Sequence, residues 1–92
     1  MLINDKNKNY IHIIDDLGEV AGKIISIDRS QNTIEMDIYG ILGTCSRPPN
    51  EWRKIRSCYV HTVKPDHKVK FYTQEEFTTL FFDILLLPEE NP

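Results

Sequence analysis

Residues 19–28 read EVAGKIISID and residues 33–39 read TIEMDIY, with Arg29-Ser30-Gln31-Asn32 between them. In the second run Ile34, Met36 and Ile38 alternate with Glu35, Asp37 and Tyr39. A period of two gives one apolar face and one wet face, the pattern of a half-buried strand. In the first run Ile25 and Ile27 share a face and Ile24 lies on the other. A four-residue polar connection between two such runs reads as a hairpin loop.

The flanking sequence extends this sheet. Residues 10–14 (YIHII) are a short β-rich run, and Asp15-Asp16-Leu17-Gly18 has the Asp and Gly of a turn. Glycines at 40 and 43 suggest a bulge or corner at the end of the second strand. Residues 46–51 (SRPPNE) are a loop, because Pro48 and Pro49 cannot donate to a ladder. Residues 55–63 (IRSCYVHTV) are apolar on both faces near Cys58 to Val60, which suits a central strand. Lys64-Pro65-Asp66-His67 is a turn, and residues 68–72 are a further strand.

The period then changes. Thr73 and Glu76 have the spacing of a capping box. Phe77, Leu80, Phe81, Ile84 and Leu85 form one helical stripe, so residues 73–87 read as a single helix ended by Pro88. Residues 1–9 read as a flexible or partner-held arm and residues 88–92 as a tail. The expected fold is therefore α+β, one domain over residues 1–92. It is a small twisted antiparallel sheet or partly open β-barrel, closed by one C-terminal helix. The central hairpin resembles the first hairpin of OB-like and SH3-like barrels. That resemblance covers only the hairpin and implies a barrel-like curl, not a family.

Charge is segregated along the chain. Residues 45–72 carry seven basic side chains against two acids, while the remainder carries four bases against twelve acids. The net charge of −3 thus conceals a dipolar surface, which selects partners by its field. A membrane span needs about 20 apolar residues, and the longest apolar run here is Ile84 to Leu87. The polar start lacks the apolar core of a secretory signal, so a cytoplasmic location is expected. Cys45 and Cys58 are then expected as reduced thiols. The chain has twelve Ile and seven Lys but a single Ala. This bias is common in AT-rich genomes, viruses and phages among them, and fits a host-cytoplasm or virion component.

Four constellations carry possible chemistry. Arg47, Arg53, Lys54 and Arg56 surround Trp52, the only tryptophan. Cations pair with phosphate and an indole face can stack a base, so this loop is a candidate for phosphate or partner binding. Alternatively, Trp52 packs on the core and the cations are a solvated rim. The acidic remainder argues against bulk duplex binding.

Cys45, Cys58, His61 and His67 form a superficial zinc set. In a strand, Cys58 and His61 point to opposite faces, and no close cysteine pair is present. No metal and no cofactor are expected; the plain alternative is a buried cysteine with surface histidines. For catalysis, a phosphatase-like spacing from Cys45 would need Arg at position 51, where Glu51 stands. Nothing in the sequence places a histidine base beside Cys45, so no enzyme is expected.

Finally, Phe82 and Leu86, with Leu87, form a flank beside the helix's core stripe, either buried or reserved for a partner. The favoured function is a non-enzymatic assembly or interaction subunit that self-associates or docks on a protein. The alternative is a nucleic-acid or nucleotide-phosphate module built on the Trp52 loop.

Overall fold

The computed structural model of the chain describes residues 8–16, 18–43, 54 and 57–87. In chain order these form β1 (Tyr10–Asp15), β2 (Gly18–Asp28), β3 (Thr33–Gly43), β4 (Ser57–Thr62), β5 (Lys68–Tyr72), α1 (Gln74–Leu80) and α2 (Phe82–Leu86). The strands make one open antiparallel sheet in the order β4-β3-β2-β1-β5, an α+β fold with an unclosed sheet.

Local chemistry explains the turns. At the β1–β2 turn the Gly18 N–H donates to the Asp15 carboxylate at 3.0 Å, and Gly18 takes φ 146°, a region that favours glycine. At the β2–β3 turn the Asp28 carboxylate accepts from the Ser30 hydroxyl (2.6 Å) and from the Ser30 and Gln31 amides. Asn32 sits at φ 57°, where Asn is among the better-tolerated residues. Its side chain donates to the Val63 carbonyl and its own carbonyl accepts from the Val63 N–H, so the loop grips the chain leaving β4.

Two bulges interrupt the β2–β3 ladder. Between Ala21 and Gly22 the extra residue is Tyr39 on β3, and between Ile24 and Ser26 it is Ile25 on β2. A bulge flips the parity of every residue beyond it. Ile24 and Ile27, an odd number apart, therefore pack on the same aliphatic cluster, and Ile25 is left 54% exposed. This corrects the simple alternation, which placed Ile25 with Ile27 and Ile24 opposite. Gly22 is required at the first bulge, because a Cβ there would overlap the Asp37 carbonyl oxygen.

The β4–β5 connection forces the sheet to curl. Thr62 pairs with Thr33 at one end of β3. Lys68 pairs with Ile14, Ile14 with Glu19, and Glu19 with Leu42 near the other end of β3. In a flat sheet these positions would lie about 30 Å apart along the strands and about 19 Å apart across four strand spacings. The six peptide steps from Thr62 to Lys68 reach at most about 21 Å. The sheet must coil until its edge strands converge, although β4 and β5 share no ladder.

The coil separates two cores. Ile11, Ile13, Val20, Ile34, Met36 and Ile38 fill the aliphatic face, joined by Ile24, Ile27, Ile41, Val63, Val69 and Phe71. On the other face Ala21 meets Phe77, Phe81 and Ile84 of the C-terminal segment, flanked by Tyr10, Tyr39, Tyr72 and Leu85. Phe77 stacks on Tyr10 at 4.8 Å, and Phe81 meets the His12 ring edge to face at 5.1 Å. The His12 imidazole also contacts the Glu19 carboxylate at 2.7 Å.

Two expectations need correction. The single helix is two helices, broken at Phe81, whose φ −113° and ψ 27° are not helical. The capping box at Thr73 and Glu76 forms as expected. The break lets α1 lie over β1 and β5 while α2 reaches β3. Phe77, Phe81 and Ile84 are buried and Leu85 is half-buried, but Leu80 is 61% exposed. Short helices on one face of a sheet have only one side covered, and Leu80 lies outside it.

The second correction concerns β4. It is an edge strand with Ser57 to Val60 exposed, not a central one. Its β-branched and aromatic content reports strand preference rather than position in the sheet.

Phe81→Ala should cost about 3–5 kcal/mol, comparable to the stability of a whole small domain. Leu80→Ala should stay within about 0.5 kcal/mol, as exposed substitutions do. Denaturant titration of the two variants measures both. Equal costs would return Leu80 to the buried stripe.

Candidate functional site

The coil brings one acidic side chain to two histidines that are distant from it in sequence. Asp15 ends β1, His61 lies on β4, and His67 closes the turn before β5. One ligand-type atom from each lies within 4.8 Å of the other two. His61 is only 3% exposed, while Asp15 and His67 are half-buried. The parity argument holds for Cys58 and His61: Cys58 faces outward beside Glu35, and His61 points into the coil. The burial expectation was inverted, since the cysteine is exposed and the histidine buried.

The hydrogen bonds assign the proton order. The His67 Nδ1 accepts from the Lys64 backbone N–H at 3.3 Å, so it is unprotonated. His61 Nε2, 3.0 Å away, is then the donor to it. A neutral His61 protonated at Nε2 has a bare Nδ1, which takes the Tyr59 hydroxyl at 2.9 Å. The chain runs Tyr59 to His61 to His67, and the Asp15 carboxylate faces it. Burial is the main force holding the His61 pKa below its ordinary value; the neighbouring His67 adds to this and Asp15 opposes it. Burial, and then the Asp15 charge, pushes the Tyr59 hydroxyl up.

An open pocket of about 230 Å³ adjoins this cluster. Its walls are apolar, from Val20, Ile38, Ile41 and Leu42, and Asp15 and Tyr59 line it too. Apolar walls with a few convergent polar groups are the usual form of a small-molecule site.

The sequence-derived candidates fall elsewhere. Arg47, Trp52, Arg53 and Arg56, with Cys45, lie outside the described residues. Lys54 is described, and its ammonium donates to the Leu85 carbonyl at 2.8 Å, a cation on the last turn of α2. Phe82 and Leu86 are 53% and 67% exposed, and Leu87 is half-buried. The Lys54 contact therefore brings one cation of the basic stretch next to the apolar flank. Cys58 is an exposed free thiol whose hydrogen bond to Glu35 raises its pKa, with the nearby Glu35 and Asp37 charges acting in the same direction. A thiol held protonated is a poor nucleophile.

The sequence reading missed the meeting of Asp15 with His61 and His67. Asp15 reads as a turn residue, and the ladder parity of β4 says nothing about a strand three places away. No protein family, curated protein or solved structure matches the chain. Among the described residues, no helix is long and apolar enough to cross a membrane.

Because His61 is buried neutral, the folded state binds protons less readily than the unfolded chain. Its contribution to stability is complete above the ordinary histidine pKa of 6.5 and is lost as pH falls through that value towards the lower folded pKa. Denaturant midpoints measured across this range should fall on the acid side. A flat profile would show that His61 is solvated.

Proposed function

We propose that the protein is a non-enzymatic assembly subunit that associates with a second copy of itself through the α2 flank. The observation that carries this reading is the exposure of Phe82 and Leu86, one helical turn apart, on a domain this small. Leu80, close by in sequence, adds a third exposed apolar side chain. The Lys54 contact at Leu85 places positive charge beside this flank. An acidic chain with one basic stretch is self-complementary in charge, which supports a copy of the chain as partner. A phage or viral source and a cytoplasmic location fit such a subunit.

The nucleotide-phosphate reading requires the Trp52 loop. Its one described cation, Lys54, is engaged with a main-chain carbonyl, which favours the protein-contact reading.

Light scattering across a concentration series should give a mass above 10.8 kDa that rises with concentration. The double variant Phe82→Glu, Leu86→Lys should stay folded and give the monomer mass. A parent protein that is monomeric throughout, or a variant that unfolds, would refute the reading. Titration with single-stranded nucleic acid and nucleotides at low salt checks the other class. Binding there that weakens steeply with salt would favour it.

A further inference from the structure

The Asp15, His61 and His67 cluster has no part in the assembly reading, yet it has the form of a site. We propose that these three side chains bind one divalent transition-metal ion of the zinc class.

Donor chemistry is the first argument. Two imidazoles and one carboxylate suit zinc, cobalt, nickel or copper rather than calcium or magnesium, which prefer all-oxygen sites. Distance is the second. Zinc bonds to nitrogen and oxygen are about 2.0–2.2 Å, so tetrahedral donors sit about 3.3–3.5 Å apart. His61 Nε2 and His67 Nδ1 are already 3.0 Å apart, and a carboxylate oxygen of Asp15 lies within 4.8 Å of one ring nitrogen of each histidine. To admit an ion the two nitrogens would part by a few tenths of an ångström, the rings would turn so that both lone pairs converge, and the Asp15 carboxylate would close in on them.

Orientation is the third argument. A metal-bound imidazole usually engages a partner through its other nitrogen. Tyr59 supplies that partner for His61 at 2.9 Å, and the Gly18 N–H holds the Asp15 carboxylate at 3.0 Å. Metal binding would move the His61 proton from Nε2 to Nδ1 and reverse the Tyr59 hydrogen bond. It would also displace the Lys64 N–H from His67 Nδ1, the longest contact of the set at 3.3 Å.

Three protein ligands leave a fourth position. Asp15 and Tyr59 also line the open pocket, which gives water a route to the ion from that side. The set differs from the Cys45, Cys58, His61, His67 combination that strand parity excludes. Asp15 takes the place of both cysteines, and it arrives through the coil of the sheet.

The test uses the full chain without an affinity tag, stripped with a chelator and then titrated with zinc and with cobalt(II) near neutral pH. One equivalent should bind at micromolar affinity or tighter. The cobalt form should show the visible bands of a tetrahedral nitrogen and oxygen site without a sulfur-to-cobalt charge-transfer band. His67→Ala and Asp15→Asn should each weaken binding by about tenfold or more, and Cys58→Ser should leave it unchanged. His67 and Asp15 are chosen because neither is fully buried, so folding can be verified independently by circular dichroism. Absence of binding at 0.1 mM metal would overturn the proposal. So would affinity that survives both variants, or a sulfur charge-transfer band.

Discussion

The short passage from β4 to β5 constrains everything else in this fold. Six peptide steps must join the two edge strands of a five-stranded sheet, at positions offset along the strands as well as across them. Only a coiled sheet meets that condition. The bulges at Tyr39 and Ile25 supply the bend, and Gly22 supplies the close approach of β2 to β3 that a side chain would prevent. Asn32 then fixes the exit from β4 by two hydrogen bonds to Val63. Turn chemistry, ladder register and strand curvature thus act on one feature.

Coiling has two consequences. It encloses an aliphatic face, so that Ile11, Ile13, Ile34 and Met36 are fully buried. The opposite, convex face is left to the aromatic layer of Tyr10, Phe77 and Phe81 under the two helices. It also carries residues from β1 and β4 to one corner, although β2 and β3 separate those strands in the sheet. The Tyr59, His61 and His67 chain is local to β4 and its turn, and it meets Asp15 because of that convergence. Burying an imidazole is unfavourable unless its hydrogen-bonding groups are satisfied, and both ring nitrogens of His61 have partners. The exposed flank of α2 is independent of this corner. It follows from helical spacing: Phe77, Phe81 and Ile84 face the sheet, which leaves Phe82 and Leu86 on the uncovered side.

Much of this was legible in the residues. The alternation from Ile34 to Ile38, the polar connection after Asp28 and the Thr73–Glu76 capping box correctly predicted a hairpin, its loop and a helix start. Periodicity could not see the bulges, because one inserted residue inverts every later assignment. Hence Ile24 and Ile25 were exchanged between faces. The helical spacing of Phe77 and Leu80 likewise carries no information about how much of a short helix the sheet covers. Strand propensity marked residues 55–63 as β without revealing that the strand lies at an edge. The cluster of Asp15, His61 and His67 depends on long-range coiling, which no local pattern encodes. The turn at Lys64 to His67 reads as an ordinary strand connection, and its shortness demands coiling only once the sheet order is known. The candidate flank of Phe82 and Leu86 was readable, since an i, i+4 apolar pair beside a filled stripe is a local signal.

The central claim is that the sheet coils until β1 and β4 meet across two intervening strands. Proton-proton contacts measured by nuclear Overhauser spectroscopy test it most directly. The account predicts a backbone ladder from β4 to β3 only, together with contacts between the His61 ring and the Asp15 side chain. A β4–β3 ladder without any His61 to Asp15 contact would describe a flatter sheet, and would contradict both the coil and the corner built on it.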